Sequence, residues 1–131
     1  MAVRIGITGA TGRMGRALVR LVAAGESTIL AGATDRADAP GIGENLRDET
    51  GASLGVRLDS EMESLFVISD VVIDFTAPEA TLEFARLAAD TGTAMVTGTT
   101  GLTAAQQARL EAAAESAPVL QAANFSLGIA V

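Results

Sequence analysis

The stretch Gly9-Ala10-Thr11-Gly12-Arg13-Met14-Gly15 spaces three glycines three residues apart. It follows a short β-branched run at residues 3–8 and precedes apolar residues at helical spacing that stop at Gly25. A strand, a glycine turn and a helix in this order open a dinucleotide-binding βαβ unit, in which the first helical amides face a pyrophosphate. The common spacing G-x-G-x-x-G is not met, so the turn alone is equally compatible with a purely structural role.

The remainder of the chain alternates strand and helix patterns. Further strands are predicted over residues 28–34, 71–75, 93–97 and 118–121, and further helices around 61–66, after 76 to about 91, and after 103 to about 116. Capping boxes are predicted at Thr76-Ala-Pro-Glu79 and Thr103-Ala-Ala-Gln106. This alternation predicts an α/β fold of the Rossmann type, a doubly wound parallel sheet with helices on both faces.

Two segments depart from the alternation. Residues 36–55 are polar and rich in glycine, and they predict a long loop followed by a short edge strand at 56–58. Residues 124–131 form an apolar run without a polar tail. We therefore expect a dinucleotide-binding domain over residues 1–123, with 124–131 beginning the connection to a second α+β domain that this chain lacks.

The composition excludes several classes of function. The 131 residues are 49% hydrophobic, carry a net charge of −7, and include no cysteine, histidine, tryptophan or tyrosine; all nine positive charges are arginines. No disulfide framework or thiolate metal site is possible, and no metal site is expected. The absence of a basic block argues against nucleic acid and anionic lipid as partners. Without a signal peptide or membrane span, the chain is expected in the cytoplasm.

Two charged residues follow the second predicted strand. Asp35 lies twenty residues beyond Gly15, where an acidic side chain accepts hydrogen bonds from the adenosine ribose. The Arg36 guanidinium beside it can pair with the 2′-phosphate of NADP. Arg13, inside the glycine turn, is a further candidate for a phosphate contact. The pair Asp35 and Arg36 predicts that both NADH and NADPH are accepted.

Polar side chains also follow two later strands. Thr99 and Thr100 come directly after a strand, and Thr103 already supplies the cap of the next helix, so both hydroxyls are expected to be spare for a ligand. Asp74 lies within an apolar strand and is expected to accept hydrogen bonds from backbone amides. Thr76 is assigned to a helix cap.

Taken together, GITGATGRMGR, VVIDFTAPEATLEFA, MVTGTTGL and QAANFSLGIAV resemble the bacterial dihydrodipicolinate reductases over essentially the whole chain. The resemblance implies that NADPH or NADH binds here, with a glycine turn for the pyrophosphate, an acid and an arginine for the adenosine, and two segments near the nicotinamide. Thr100 is implied to lie near the substrate. The implied cofactor-binding residues are Gly9, Ala10, Thr11, Gly12, Arg13, Met14, Asp35, Arg36, Gly98, Thr99, Thr100, Ala122, Ala123, Asn124 and Phe125.

The same resemblance implies what lies outside the chain. Family members continue into a domain that supplies two adjacent histidines, a lysine and a serine-glycine-threonine stretch for the substrate carboxylates. This chain has neither histidine nor lysine, so no catalytic residue is expected in it and the fragment is expected to be inactive. The implied reaction is hydride transfer to an unsaturated cyclic dicarboxylate in the diaminopimelate route to lysine. Family members are typically homotetramers, assembled largely through the missing domain.

Other classes of protein share part of this pattern. Short-chain dehydrogenases begin similarly but need a tyrosine and a lysine, and P-loop nucleotidases need a lysine, so both are excluded for this chain. A regulatory module that senses NAD(H) without catalysis needs only the glycine turn, Asp35 and a partner surface. Composition alone leaves that alternative open.

Overall fold

The computed structural model describes residues 2–122. The strands are β1 Val3–Ile7, β2 Thr28–Thr34, β3 Asn45–Arg47, β4 Ser53–Asp59, β5 Val71–Asp74, β6 Ala94–Thr97 and β7 Val119–Gln121. The helices are α1 Arg13–Ala24, α2 Met62–Ile68, α3 Pro78–Thr91 and α4 Ala104–Ala113. None of the helices in this part of the chain is long and apolar enough to span a membrane.

The strands form one sheet in the order β3-β4-β2-β1-β5-β6-β7. Every pairing is parallel except that of β3 with β4, which is antiparallel. After β1, strands β2 to β4 are added on one side of it, and from β5 onward strands are added on the other side. The direction in which the sheet is wound therefore reverses between β1 and β5. In doubly wound sheets this switch point opens the crevice where ligands bind, and the predicted fold class is confirmed.

Alternate residues of β1 face two separate apolar cores. Ile7 packs in a cluster with Val19 of α1 and Leu30 of β2. Its neighbour Gly6 points to the opposite face, where an added Cβ would lie 2.7 Å from Cδ1 of Leu65 in α2. Since Leu65 shares its cluster with side chains of α3 and α4, α1 covers one face of the sheet and α2, α3 and α4 cover the other.

The region predicted as a long loop contains an antiparallel hairpin instead. β4 begins at Ser53, earlier than the predicted edge strand at 56–58, and lies inside the sheet between β2 and β3. The turn is built around Asp48, whose Oδ1 accepts hydrogen bonds from the amides of Thr50 and Ala52 at 2.8 and 3.0 Å. Gly51 completes the turn with a φ of 86°. Leu54, Val56 and Leu58 of β4 alternate with polar residues and glycine and face the core, a strand pattern that the glycine-rich, polar composition of residues 36–55 obscured.

The two predicted capping boxes have opposite outcomes. At α4, the Thr103 hydroxyl accepts from the Gln106 amide and the Gln106 side chain accepts from the Thr103 amide, as predicted. At α3, the box predicted from Thr76 is wrong, because the N-cap is Ala77 and no side chain caps the helix. The Thr76 hydroxyl donates to Asp74 Oδ1 at 2.6 Å instead. A buried carboxylate is the stronger acceptor, and it draws this hydroxyl away from the helix end.

The first crossover depends on two glycines of the opening stretch. Gly9 has a φ of 63°, in the left-handed region that residues with a Cβ rarely adopt. At Gly15 an added Cβ would lie 2.1 Å from the Gly9 carbonyl oxygen and 2.8 Å from the Ala10 Cα. The absent side chain at Gly15 therefore lets α1 pack directly on the turn that precedes it.

We expect Gly15→Ala to destabilise the protein, although alanine is the better helix former. Helix propensity alone would make the substitution stabilising by about 1 kcal/mol, whereas overpacking against fixed backbone atoms costs about 1–3 kcal/mol. Urea unfolding followed by circular dichroism measures the sign. Arg16→Ala, an exposed position in the same helical turn, is the control and should change the free energy of unfolding by less than about 0.5 kcal/mol.

Candidate functional site

A cleft of about 320 Å³ lies at the carboxyl edge of the sheet, beside the switch point between β1 and β5. Gly9, Thr11 and Gly12 of the opening turn form one wall. Asp35 and Arg36, which follow β2, border the same cleft. Residues predicted separately from the glycine spacing and from the end of the second strand are thus brought together at one site.

The N-terminus of α1 presents unbonded amides next to this turn. Its first helical hydrogen bond runs from the Arg16 amide to the Gly12 carbonyl at 2.9 Å, so the amides of residues 13–15 precede the helical ladder. Gly12 is the N-cap, and no side chain caps the helix. The first turn contains no acidic residue. The dipole and the amides together make a positive end that suits an anion.

Ala10 and Thr11 take part in the turn through bonds within the protein. The Ala10 amide donates to the Thr34 carbonyl at 3.0 Å, and its methyl group is buried in the core beneath α1. The Thr11 amide and hydroxyl both donate to Asp35 Oδ2, at 2.9 and 2.5 Å. These bonds tie the turn after β1 to the end of β2.

Asp35 is half-buried and is held as a hydrogen-bond acceptor. Its Oδ1 accepts from the Arg36 amide at 2.8 Å, in addition to the two bonds from Thr11 to Oδ2. Partial burial raises the pKa of Asp35, but the hydrogen bonds from Thr11 and Arg36 lower it by more, so the net pKa lies below its ordinary value. A carboxylate offers about four lone-pair sites, so one on Oδ1 is left for a further donor, and Asp35 lines the cleft.

Two predicted phosphate contacts carry exposed guanidinium groups. The Arg36 side chain is 81% exposed and pairs loosely with Asp38, 3.7 Å away. Arg13 is the first residue of α1 and is exposed, as is Met14 beside it. Within residues 2–122 no ion pair involves Arg13. Both guanidinium groups can reorient toward an incoming phosphate without breaking a strong pair.

The segment after β6 differs in part from its prediction. The Gly98 amide continues the sheet by donating to the Asp74 carbonyl at 2.8 Å. Thr99 is 4% exposed, and its hydroxyl accepts from the Thr76 amide at 3.1 Å, so the expectation of a spare hydroxyl is wrong for Thr99. Thr100 is exposed. A ligand at this segment can therefore reach the Thr100 hydroxyl, and it meets Thr99 through the backbone.

Asp74 also differs from its prediction. It is 0% exposed and was expected to accept from backbone amides. Within residues 2–122, its side chain accepts instead from hydroxyls, those of Thr8, Thr76, Thr81, Thr97 and Thr99. Threonine hydroxyls from distant segments converge on it, which spacing along the chain could not show.

The last predicted cofactor segment is described in part. The Ala122 amide donates to the Thr97 carbonyl at 2.9 Å, which places it beside the segment after β6. Ala123, Asn124 and Phe125 lie outside the described residues. Ala122 and residues 98–100 therefore belong to one part of the carboxyl edge.

Sequence reasoning missed the wall of the cleft opposite the glycine turn. Met62 at the start of α2, Ala77 and Ala80 at the start of α3, and Phe84 farther along α3 line it. Met62 follows β4, and the other three follow β5, which flanks the switch point. Phe84 carries no sequence signal other than its place on an apolar helix face.

Comparison with known proteins identifies the family. Residues 3–125 match the family described as dihydrodipicolinate reductase, N-terminus. The 4-hydroxy-tetrahydrodipicolinate reductase of Burkholderia lata is 41% identical over 129 residues, covering 98% of this chain and 49% of that protein. The enzyme of the same name from Rhizobium meliloti is 40% identical, covering 97% of this chain and 53% of that protein. The chain spans about half the length of the curated relatives it matches.

Solved structures agree with this assignment. A dipicolinate-bound dihydrodipicolinate reductase from Paenisporosarcina sp. TG-14 superposes with a TM-score of 0.76 at 30% identity, over 98% of this chain and 49% of that one. An aspartate semialdehyde dehydrogenase with NADP from Candida albicans has a TM-score of 0.67 at 15% identity, over 96% of this chain and 44% of that one, and so shares the fold. From the family match and the shared architecture, the chain belongs to the dihydrodipicolinate reductase family and corresponds to its N-terminal part.

Proposed function

We propose that this chain is the NAD(P)H-binding part of a 4-hydroxy-tetrahydrodipicolinate reductase. The observation that carries the proposal is the convergence of the glycine turn, Asp35 and Arg36 on one cleft at the switch point of the sheet. The Burkholderia lata and Rhizobium meliloti relatives bear the name of this enzyme. Each end of a dinucleotide then has residues to receive it.

The pyrophosphate is placed at the N-terminus of α1. The amides of residues 13–15 would donate to its oxygens, and the absence of acidic residues in this turn leaves the attraction of the dipole unopposed. At Gly12 an added Cβ would have just one neighbour, the Gly9 carbonyl oxygen at 3.4 Å, so its outer side is open. The phosphates can approach the backbone there without a steric barrier.

The adenosine is placed in the cleft. Asp35 would accept a ribose hydroxyl through its open lone pair, and the Arg36 guanidinium would pair with a 2′-phosphate when the cofactor is NADPH. Met62, Ala80 and Phe84 supply an apolar wall against which an adenine ring can stack. Both NADH and NADPH fit this arrangement, because Asp35 would accept from the adenosine ribose that both cofactors carry. Arg36 would add a contact with the 2′-phosphate, which only NADPH carries.

The nicotinamide end is placed at residues 98–100 and 122–125. Gly98 and the backbone of Thr99 would position the carboxamide, and the exposed Thr100 hydroxyl would reach the substrate side. The bound cofactor supplies a hydride, which the complete enzyme delivers to an unsaturated cyclic dicarboxylate in the diaminopimelate route to lysine. The role of this chain is to hold and orient the cofactor. The proton and the residues that bind the substrate carboxylates come from the remainder of the enzyme.

Three further properties of the complete enzyme are part of the proposal. A small dicarboxylate is its substrate, in keeping with the dipicolinate bound to the structurally similar Paenisporosarcina enzyme. The complete enzyme is a homotetramer, and it works in the cytoplasm. The oligomer is expected to depend on the half that this chain does not span.

Titration of the purified chain with each nicotinamide cofactor tests the proposal directly. We expect NADPH and NADH to bind with dissociation constants within about tenfold of each other, a difference of about 1.4 kcal/mol, because Asp35 and Arg36 serve both. Isothermal titration calorimetry measures both constants. If neither cofactor binds, the proposed function is wrong.

Substitution of Arg36 tests the contact with the 2′-phosphate. Arg36→Ala should weaken NADPH binding about tenfold or more, the effect of losing one charge-assisted hydrogen bond, while NADH changes less than about twofold. Arg109→Ala removes an exposed arginine from α4 and should leave both constants unchanged. An equal loss for NADH and NADPH in Arg36→Ala would contradict this role.

The chain by itself should bind cofactor without turning it over. Mixed with NADPH and 4-hydroxy-tetrahydrodipicolinate, it is expected to cause no fall in absorbance at the reduced nicotinamide band above a protein-free blank. The reason is that it contains no histidine or lysine to supply the proton. A rate that scales with the concentration of the chain would show that the chemistry lies in this half.

A further inference from the structure

The buried carboxylate of Asp74 lies directly beneath the candidate cofactor site. It belongs to β5, next to the switch point, and is 0% exposed. Among residues 2–122 no arginine pairs with it. A buried charge without a cation is costly unless hydrogen bonds replace its hydration. Here threonine hydroxyls supply those bonds, and they come from the segments that build the site.

One carboxylate oxygen ties the glycine turn to the entry of α3. Oδ1 accepts from the hydroxyl of Thr8, the residue just before Gly9, at 2.9 Å. It also accepts from the Thr76 hydroxyl at 2.6 Å. Both residues adjoin the cleft assigned to the adenosine and the pyrophosphate.

The other oxygen ties α3 to the end of β6, directly before the segment at 98–100. Oδ2 accepts from the hydroxyls of Thr81 and Thr97 at 2.6 and 2.8 Å. The Thr99 hydroxyl lies farther away, at 3.3 Å. The two oxygens of Asp74 therefore each serve one end of the proposed cofactor site.

The carboxylate also sets the direction of these hydrogen bonds. It can accept but not donate, so the hydroxyls of Thr8, Thr76, Thr81 and Thr97, whose oxygens lie 2.6–2.9 Å from it, must point their protons inward. The Thr99 oxygen lies nearer to the Thr81 oxygen, at 2.8 Å, than to Asp74. The hydroxyl lone pairs then face the loops, where the Thr99 amide donates to Thr97 Oγ1 at 3.2 Å and the Thr76 amide donates to Thr99 Oγ1 at 3.1 Å. Each of these series of hydrogen bonds runs from a loop amide through a threonine hydroxyl to the Asp74 carboxylate. Hydrogen bonds arranged in series polarise and strengthen one another.

We infer that Asp74 is a positioning residue, which orients the threonine hydroxyls so that they hold the loops at 75–77 and 97–99 in place for the cofactor. Its carboxylate is inaccessible, so it cannot itself exchange a proton with a bound molecule. The inference rests on the proposed function for its consequence, cofactor binding, whereas the order of the loops can be measured without any cofactor.

Four variants separate the effect of the direction of the hydrogen bonds from the effect of side-chain packing. Asp74→Asn keeps the shape but replaces one acceptor oxygen by a donor NH₂, so hydroxyls on that side must turn outward and oppose the loop amides. Thr97→Val removes one hydroxyl at nearly constant volume, and Thr97→Ser restores it. Asp90→Asn, at an exposed position of α3, removes the same charge away from the network.

The first measurement is hydrogen exchange of the cofactor-free chain, followed by mass spectrometry over peptides covering residues 75–77 and 97–101. Asp74→Asn and Thr97→Val should exchange faster than the unsubstituted chain in the 97–101 segment, and Thr97→Ser and Asp90→Asn should not. Exchange unchanged in Thr97→Val would overturn the inference. If Asp74→Asn does not fold, the Thr97 pair still decides the matter.

The second measurement compares the dissociation constants of NADPH and of 2′,5′-ADP, which lacks the nicotinamide half. Thr97→Val should weaken NADPH about tenfold or more, the effect of losing a hydrogen bond to a charged group, and change 2′,5′-ADP less than about twofold. Thr97→Ser should recover NADPH binding. A serine variant as weak as the valine variant would show that side-chain size, and not the hydroxyl, matters, and would overturn the inference.

The two measurements distinguish the inference from the proposed function. If the unsubstituted chain binds no nicotinamide cofactor, the proposed function fails while the exchange data still report on the loops. If the unsubstituted chain binds NADPH and the Asp74→Asn and Thr97→Val variants bind it equally well, the proposed function stands and the positioning role of Asp74 is wrong.

Discussion

Burying a carboxylate without a neighbouring cation is the constraint on which the carboxyl edge of this sheet depends. Asp74 is 0% exposed, and removing its charge from water is unfavourable unless donors replace the lost hydration. Hydroxyls from the residue after β1, the β5–α3 connection, α3 and the end of β6 supply those donors. Because all of them must reach one point, the segments that border the cleft are held at fixed distances from one another.

The glycine turn obeys a steric constraint of a different kind. The backbone of α1 packs so closely on the turn that Gly15 has no room for a side chain. This contact fixes where the helix begins, and hence where its unbonded amides lie. The bonds from Thr11 to Asp35 then tie the same turn to the end of β2. Packing positions the N-terminus of α1, and a carboxylate positions the end of the cleft proposed to receive the ribose.

Local sequence patterns predicted an element correctly where its strongest interactions join residues that are close in the chain. Strands 71–74 and 94–97 are short apolar runs, and α4 begins at a capping box whose two partners are three residues apart. The same pattern failed at Thr76, where a carboxylate competes for the hydroxyl. The β3–β4 hairpin was missed for another reason: Leu54, Val56 and Leu58 alternate as in a strand, but glycines and polar residues surround them, and the turn is held by the Asp48 side chain.

The opening stretch, Asp35 and Arg36 were identifiable from the sequence because each depends on spacing along the chain and on the chemistry of a few residue types. The sequence by itself also determined that this half contains no histidine, lysine or tyrosine for proton transfer. Tertiary structure alone decided which threonines face Asp74, since Thr8 and Asp74 are 66 residues apart in the chain and meet because β1 and β5 are neighbours. It likewise decided that the Thr99 hydroxyl bonds within the protein, because folding brings the Thr81 hydroxyl and the Thr76 amide to within 2.8 and 3.1 Å of it, and buried polar groups are satisfied by the partners within reach.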